Sequence, residues 1–168
     1  MSPLHLPIAF NSSLAERNPA RYLDEIWGGY FADVPRVNQV DIAYCRPWKR
    51  RLGLIRLSLD SSTSFIGVNA LLQLARVPEY ILITTIAHEL AHYAHGFGSP
   101  LPRLHEHPHA NNVVKCELEQ RGLGEILRLC DEWIDKEWFS FYDAERETGW
   151  LNLPEAHRST RGGHRNQG

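Results

Sequence analysis

Cysteine is scarce in this chain. Cys45, Cys116 and Cys130 are the only three among 168 residues, and no two form a CxxC pair. Three widely spaced cysteines supply neither a disulfide framework nor a cysteine-ligated zinc ribbon, and they suit a reducing cytosol. Charge of one sign is lacking too. Eighteen Lys and Arg stand against 20 Asp and Glu, a formal net charge of -2, so no global field draws the chain to nucleic acid or an anionic membrane. No apolar run approaches the roughly 20 residues of a membrane span. The opening MSPLHLPIAFNSS has no basic n-region and no long apolar stretch, so no secretory signal is expected and the cytoplasm is the expected compartment. No internal repeat is found.

What remains is ordinary for one globular domain: 43% hydrophobic and 23% charged residues. Asn18-Pro19 reads as an N-cap and first helical position, and Tyr22, Leu23, Ile26 and Trp27 follow at helical spacing. That predicts a helix over 18–28, ended by Gly28-Gly29. Val40, Ile42 and Tyr44 alternate as in a strand, as do Ile55, Leu57 and Leu59, and SFIGVN supplies a third. The connections are too short for helical crossovers, so a small antiparallel sheet is expected. ALLQLA reads as a turn or two of helix. Pro78-Glu79 opens the strongest helix, 78–96, which Gly96, Gly98, Pro100 and Pro102 stop. Two further helices follow, broken near Gly122 and Gly124. Residues 1–17 read as a loosely structured lead-in, 18–153 as the domain, and the polar, basic stretch 154–168 as a disordered tail.

Histidine is the exception to this ordinariness. Six of the nine lie in TIAHELAHYAHGFGSPLPRLHEHPHANN, residues 85–112. The stretch contains His88-Glu89-Leu90-Ala91-His92, an HExxH motif on the strongest helix. Residues four apart share a helix face, about 5–6 Å apart at Cβ, which lets two imidazoles grip one zinc ion at about 2.0–2.1 Å. Glu89, one residue round, can reach water beside that ion and act as general base. Ile83, Ile86, Ala87, Leu90 and Ala94 form an apolar stripe. The opposite face, Ile81, Thr84, Thr85, His88, His92 and His95, carries no Lys, Arg, Asp or Glu. A solvated face would carry them, so the helix is expected to be buried on both sides, with its imidazoles needing partners. His95 lies seven residues past His88, about 10 Å along the axis, too far to share the ion. Its expected place is beside the site or at the helix cap.

A catalytic zinc takes three protein ligands and leaves one position open. The extended pattern HExxHxxGxxH fails, because His95 and Gly98 stand where it needs Gly and His. Glu117 or Glu119 on a later helix would make a glutamate site. A histidine of HEHPHANN is the third choice. His109 is preferred, since it precedes Asn111-Asn112 and the helix containing Val113 and Val114. His107 is the alternative and His105 a weaker one. Asn111 reads as a helix cap.

At this point the chain resembles the SprT-like (Spartan-type) zinc metallopeptidases over about residues 40–123. The resemblance rests on TIAHELAHYAHG, the Gly/Pro loop, a histidine before a helix ending EQRGLG, and WKRRLGLIRLS followed by IGVN. It implies an α+β, zincin-like fold, with the small antiparallel sheet packed against the HExxH helix and further helices closing the other side. It also implies one zinc per chain held by His88, His92 and His109, Glu89 as the base, and protein or peptide substrates. The match departs at Trp48, which Lys49-Arg50-Arg51 follow, and the spacing from the histidine to its helix is one residue off. No DNA-repair role is carried over.

Arg46, Lys49, Arg50, Arg51 and Arg56 surround Trp48 and would suit nucleic acid by phosphate contact and stacking. A solvated connection with Trp48 packed on the sheet is the preferred reading. Trp133, Trp138, Phe139, Phe141 and Tyr142 are expected in the core or at an interface. The activity expected from the residues is zinc-dependent peptide-bond hydrolysis. The alternatives are another metal-dependent hydrolase, for instance one acting on nucleic acid, or a non-catalytic zinc-stabilised binding module.

Overall fold

Residues 17–153 are described by the computed structural model; the expected tail at 154–168 and all of the expected lead-in except Arg17 lie outside the described residues. Helix α1 (Pro19–Tyr30) begins as the sequence predicts. The Asn18 side chain accepts from Ala20 N at 3.0 Å and Arg21 N at 3.4 Å, and Pro19 takes the first helical position. The glycine pair does not end it. The helix runs on through Gly28-Gly29, because Tyr30 and Phe31 beyond them are buried with Ile26 and Trp27. That burial offsets the roughly 1 kcal/mol each glycine costs a helix.

The fold is α+β, with a three-stranded sheet of β1 (Gln39–Tyr44), β2 (Gly53–Leu57) and β3 (Thr63–Val68) in the order β1-β3-β2. The sheet is mixed, which corrects the all-antiparallel expectation. Strand β1 runs parallel to β3, Gln39 opposite Thr63, and β2 runs antiparallel to β3, Gly53 opposite Val68. Short connections exclude a helical crossover but not a parallel pair. The chain leaves β1, passes the end of β3 through residues 45–52, returns along β2 and turns into β3. Strand β2 is itself the crossover, and it becomes a free edge of the sheet among the described residues. It ends before Leu59, which is expected in the strand but stands fully exposed on the hairpin turn.

One buried side chain fixes the 45–52 connection. Asn69 Nδ2 donates to Trp48 O and Arg51 O, both at 2.7 Å, and its Oδ1 accepts from Leu71 N at 3.0 Å. Asn69 is fully buried, so its own amide makes these bonds away from competing water. Asn69→Ala is expected to cost about 1–3 kcal/mol in urea denaturation. A change below about 0.5 kcal/mol would show that the loop holds its path without it.

Helix α2 (Glu79–Ala94) is the centre of the molecule. It packs against α1, β2, β3, α3 (Val113–Gln120) and α4 (Gly124–Trp133). Ile81, Ile83, Ile86, Ala87 and Ala91 are fully buried, so both faces are covered as the uncharged histidine face predicts. Pro78 is its cap rather than its first residue. Gly122, with φ +86°, closes α3 near the expected break. A π-helical turn, Ile134–Trp138, joins α4 to α5 (Phe139–Glu147), and buried Trp138 donates to Lys49 O at 2.8 Å. Phe139, placed by sequence with this aromatic group, is exposed. No helix among the described residues is long and apolar enough to cross a membrane.

Candidate metal centre

His88 and His92 sit one turn apart on α2, and their Nε2 atoms approach to 3.1 Å. His109 reaches the same point from the loop before α3. One ring nitrogen from each of the three lies within 4.8 Å of the others. Its ring centroid is 4.8 Å from that of His92 and 6.2 Å from that of His88. The loop delivers it through two consecutive left-handed residues, Asn111 (φ 54°) and Asn112 (φ 55°). Asparagine adopts this conformation more readily than most residues. Neither makes a side-chain cap: Asn112 is the helix cap by position, and the expected capping role of Asn111 is not found.

The donor set suits a borderline-soft divalent ion. Tetrahedral zinc places two imidazole nitrogens about 3.3 Å apart, close to the His88–His92 spacing, and a nitrogen of the exposed His109 ring lies within 4.8 Å of both. Burial, then the neighbouring His109, depresses the pKa of His88 to about 4. Burial, then His88, His109 and His95, depresses that of His92 to about 3. Both rings are therefore neutral near pH 7, the form in which imidazole ligates a cation. The buried Nδ1 of His92 has no hydrogen-bond partner among the described residues.

Glu89 projects from α2 beside this cluster and is 5% exposed. Burial raises its pKa to about 8, with Arg51 pulling the other way. Strand β2 comes close over it at Gly53. A methyl group on that residue would lie 2.9 Å from Glu89 Oε1 and 2.8 Å from Thr85 Cγ2, so any side chain there must displace one of them. A cleft of about 490 Å³ opens between the β2 edge and the imidazoles, lined by Gly53, Ile55, Phe97 and Gly98 with Glu89 at its base. A second cavity of about 320 Å³ adjoins it between α2 and α4, walled by Leu52, Thr85, Leu127 and Ile134.

The other sequence candidates lie elsewhere. His107 is turned to solvent, its nearest charge being Glu106 at 3.9 Å, so the alternative third ligand is not with the pair. His105 packs its ring on His95, centroids 4.6 Å apart. His95 Nε2 donates to Glu117 Oε2 at 3.1 Å, so both stand beside the three-histidine cluster rather than in it. Glu119 is outside it as well. Of the basic residues around Trp48, Lys49 pairs with Asp143 and Arg56 lies over Phe65, while Arg51 stays over the Trp48 ring at 5.9 Å and also lines the cleft. The HExxH pattern does not point to Gly53 or Arg51, which the fold brings to the cleft. A lone glycine within a strand pattern was the available signal, since such a residue marks a close approach of backbone. Comparison of the chain with family models, curated proteins and solved structures finds no match.

Proposed function

We propose that this chain is a zinc-dependent peptide hydrolase with a zincin-like site, in keeping with its resemblance to SprT-like metallopeptidases. The observation that carries this reading is the convergence of His88, His92 and His109 at a cleft bounded by a free strand edge, with a buried carboxyl alongside. A structural zinc has no use for the last two. The three imidazoles would hold one zinc, and the ion would supply Lewis acidity toward a carbonyl and a water molecule and draw Glu89 to its ionised form. An extended peptide adds to the β2 edge by backbone hydrogen bonds and lies along the cleft past the histidines. Glu89 takes the proton of the attacking water and returns it to the leaving amine nitrogen. Burial excludes bulk water from that carboxyl, and the Asn69-held connection keeps Gly53 and Arg51 over it.

Untagged protein, purified without added zinc, should carry about one zinc per chain by elemental analysis. It should cleave an unfolded protein substrate, lose that activity with chelator, and regain it with one equivalent of zinc. Folded protein that neither contains nor takes up zinc would overturn the reading.

A further inference from the structure

His109 is poorly anchored for a ligand. It is exposed, and no residue of the 110–112 turn that follows it is buried. The two left-handed asparagines set its direction but not its distance from α2. Buried Val114 and Leu118 seat α3 against α2, but they lie five residues and more beyond His109, so the loop that carries it needs contacts of its own.

His95 touches that segment on both sides of His109. Its backbone carbonyl accepts from Leu104 N at 3.0 Å and its ring packs edge-on against His105, upstream of the ligand. Its Nε2 donates to Glu117 Oε2 at 3.1 Å, downstream on α3. The ring is 2% exposed, so these contacts are made away from competing water. Glu117 is fixed in turn. Arg121 Nε donates to Glu117 Oε1 at 2.8 Å, while its guanidinium bonds Asp33 at 2.6 and 3.1 Å and Tyr30 O at 2.7 Å and lies over the Phe31 ring. The chain His95–Glu117–Arg121–Asp33 thus runs from the end of the metal helix, through α3, to the segment after α1. Burial pushes the Glu117 carboxyl up, but the bonds from His95 and Arg121 outweigh it and hold the group below its ordinary range.

We infer that His95 is the positioning residue for the third metal ligand: through His105 and Glu117 it brackets His109 and sets its distance from His88 and His92. This rests on the zinc reading above. It gives the third histidine of HELAHYAH a role without placing it on the metal.

The test is zinc affinity, by competition with a chromophoric chelator, and the absorption of the cobalt(II)-substituted protein. Both are measured on variants that urea denaturation shows to be folded. Glu117→Gln and His95→Ala should each weaken zinc binding about 10–100-fold, as loss of an orienting partner does, and should alter the cobalt ligand-field bands. His95→Gln, which keeps a donor for Glu117, should stay within a few-fold of the parent. The deciding arm is the His109→Ala background. There Glu117→Gln should cost nothing further in affinity, because the group it positions is gone. An equal loss with and without His109, or lost stability with unchanged zinc affinity, would overturn the inference. If His109→Ala itself leaves zinc binding intact, the third-ligand assignment fails instead, which is a separate result.

Discussion

Glu89→Gln should retain zinc and lose peptide hydrolysis. The substitution removes one ionisable oxygen and almost no volume, so His88 and His92 on the same helix keep their spacing. The expected loss is about 10²–10⁴-fold in kcat, the usual worth of a positioned proton acceptor, with zinc content unchanged. Full activity in a zinc-loaded Gln variant would leave a metal-stabilised binding module as the better reading. A second consequence needs no substrate. Burial raises the Glu89 pKa from 4.5 to about 8, so the metal-free folded chain keeps a proton that the unfolded chain has released. The stability tied to that proton is complete below pH 4.5 and is lost as pH rises through about 8. Glutamine has no proton to lose. In urea denaturation with chelator present, the Gln variant should match the parent near pH 4.5 and exceed it at pH 7–8 by on the order of 3 kcal/mol. Equal stability at both pH values would mean that the carboxyl is better hydrated than its burial implies.

The central helix was legible because its signals are local. HExxH places two imidazoles on one face, and the absence of charge on that face shows that it is covered. Helix caps read equally well at Asn18-Pro19 and near Gly122. Sheet topology was not legible, for a physical reason. Alternation in Val40-Ile42-Tyr44 tells which face of a strand is buried and is silent about its neighbour. Whether β3 pairs with β1, β2 or both depends on the path of the 45–52 connection, whose carbonyls are bound by buried Asn69, 18 and 21 residues away. The helix through Gly28-Gly29 is a similar case, where burial of Tyr30 and Phe31 overrides local propensity. Within the site, HEHPHANN offered three histidines of equal chemistry. Its place just before the α3 helix favours His109, and the three-dimensional path agrees, bringing His109 to the pair and leaving His107 facing water. The partnership of His95 with Glu117, 22 residues apart, has no sequence signature.

Gly53→Ala should damage catalysis more than any other single-methyl change among the glycines near the site. The added methyl falls within 3 Å of Glu89 Oε1 and Thr85 Cγ2, below any ordinary contact distance. Thr85 is part of the buried central helix and yields little, so the flexible carboxyl moves. A shift of about 1 Å in a proton acceptor costs on the order of 10²-fold in turnover. Overpacking should cost about 1–3 kcal/mol of stability as well. The imidazoles are not touched, so zinc content should hold and the loss should fall on kcat. Two controls separate displacement of Glu89 from general strain. Gly28→Ala adds a methyl where nothing lies within 4 Å, inside α1, and should leave turnover unchanged while stabilising by roughly 0.5–1 kcal/mol. Placed on Glu89→Gln, Gly53→Ala should lower the residual rate little further, because the group it displaces no longer accepts a proton. If it instead lowers that residual rate as steeply as it does the parent's, the methyl acts on substrate seated along the β2 edge. Gly53 would then be a substrate contact rather than the clearance that lets Glu89 reach the reacting water.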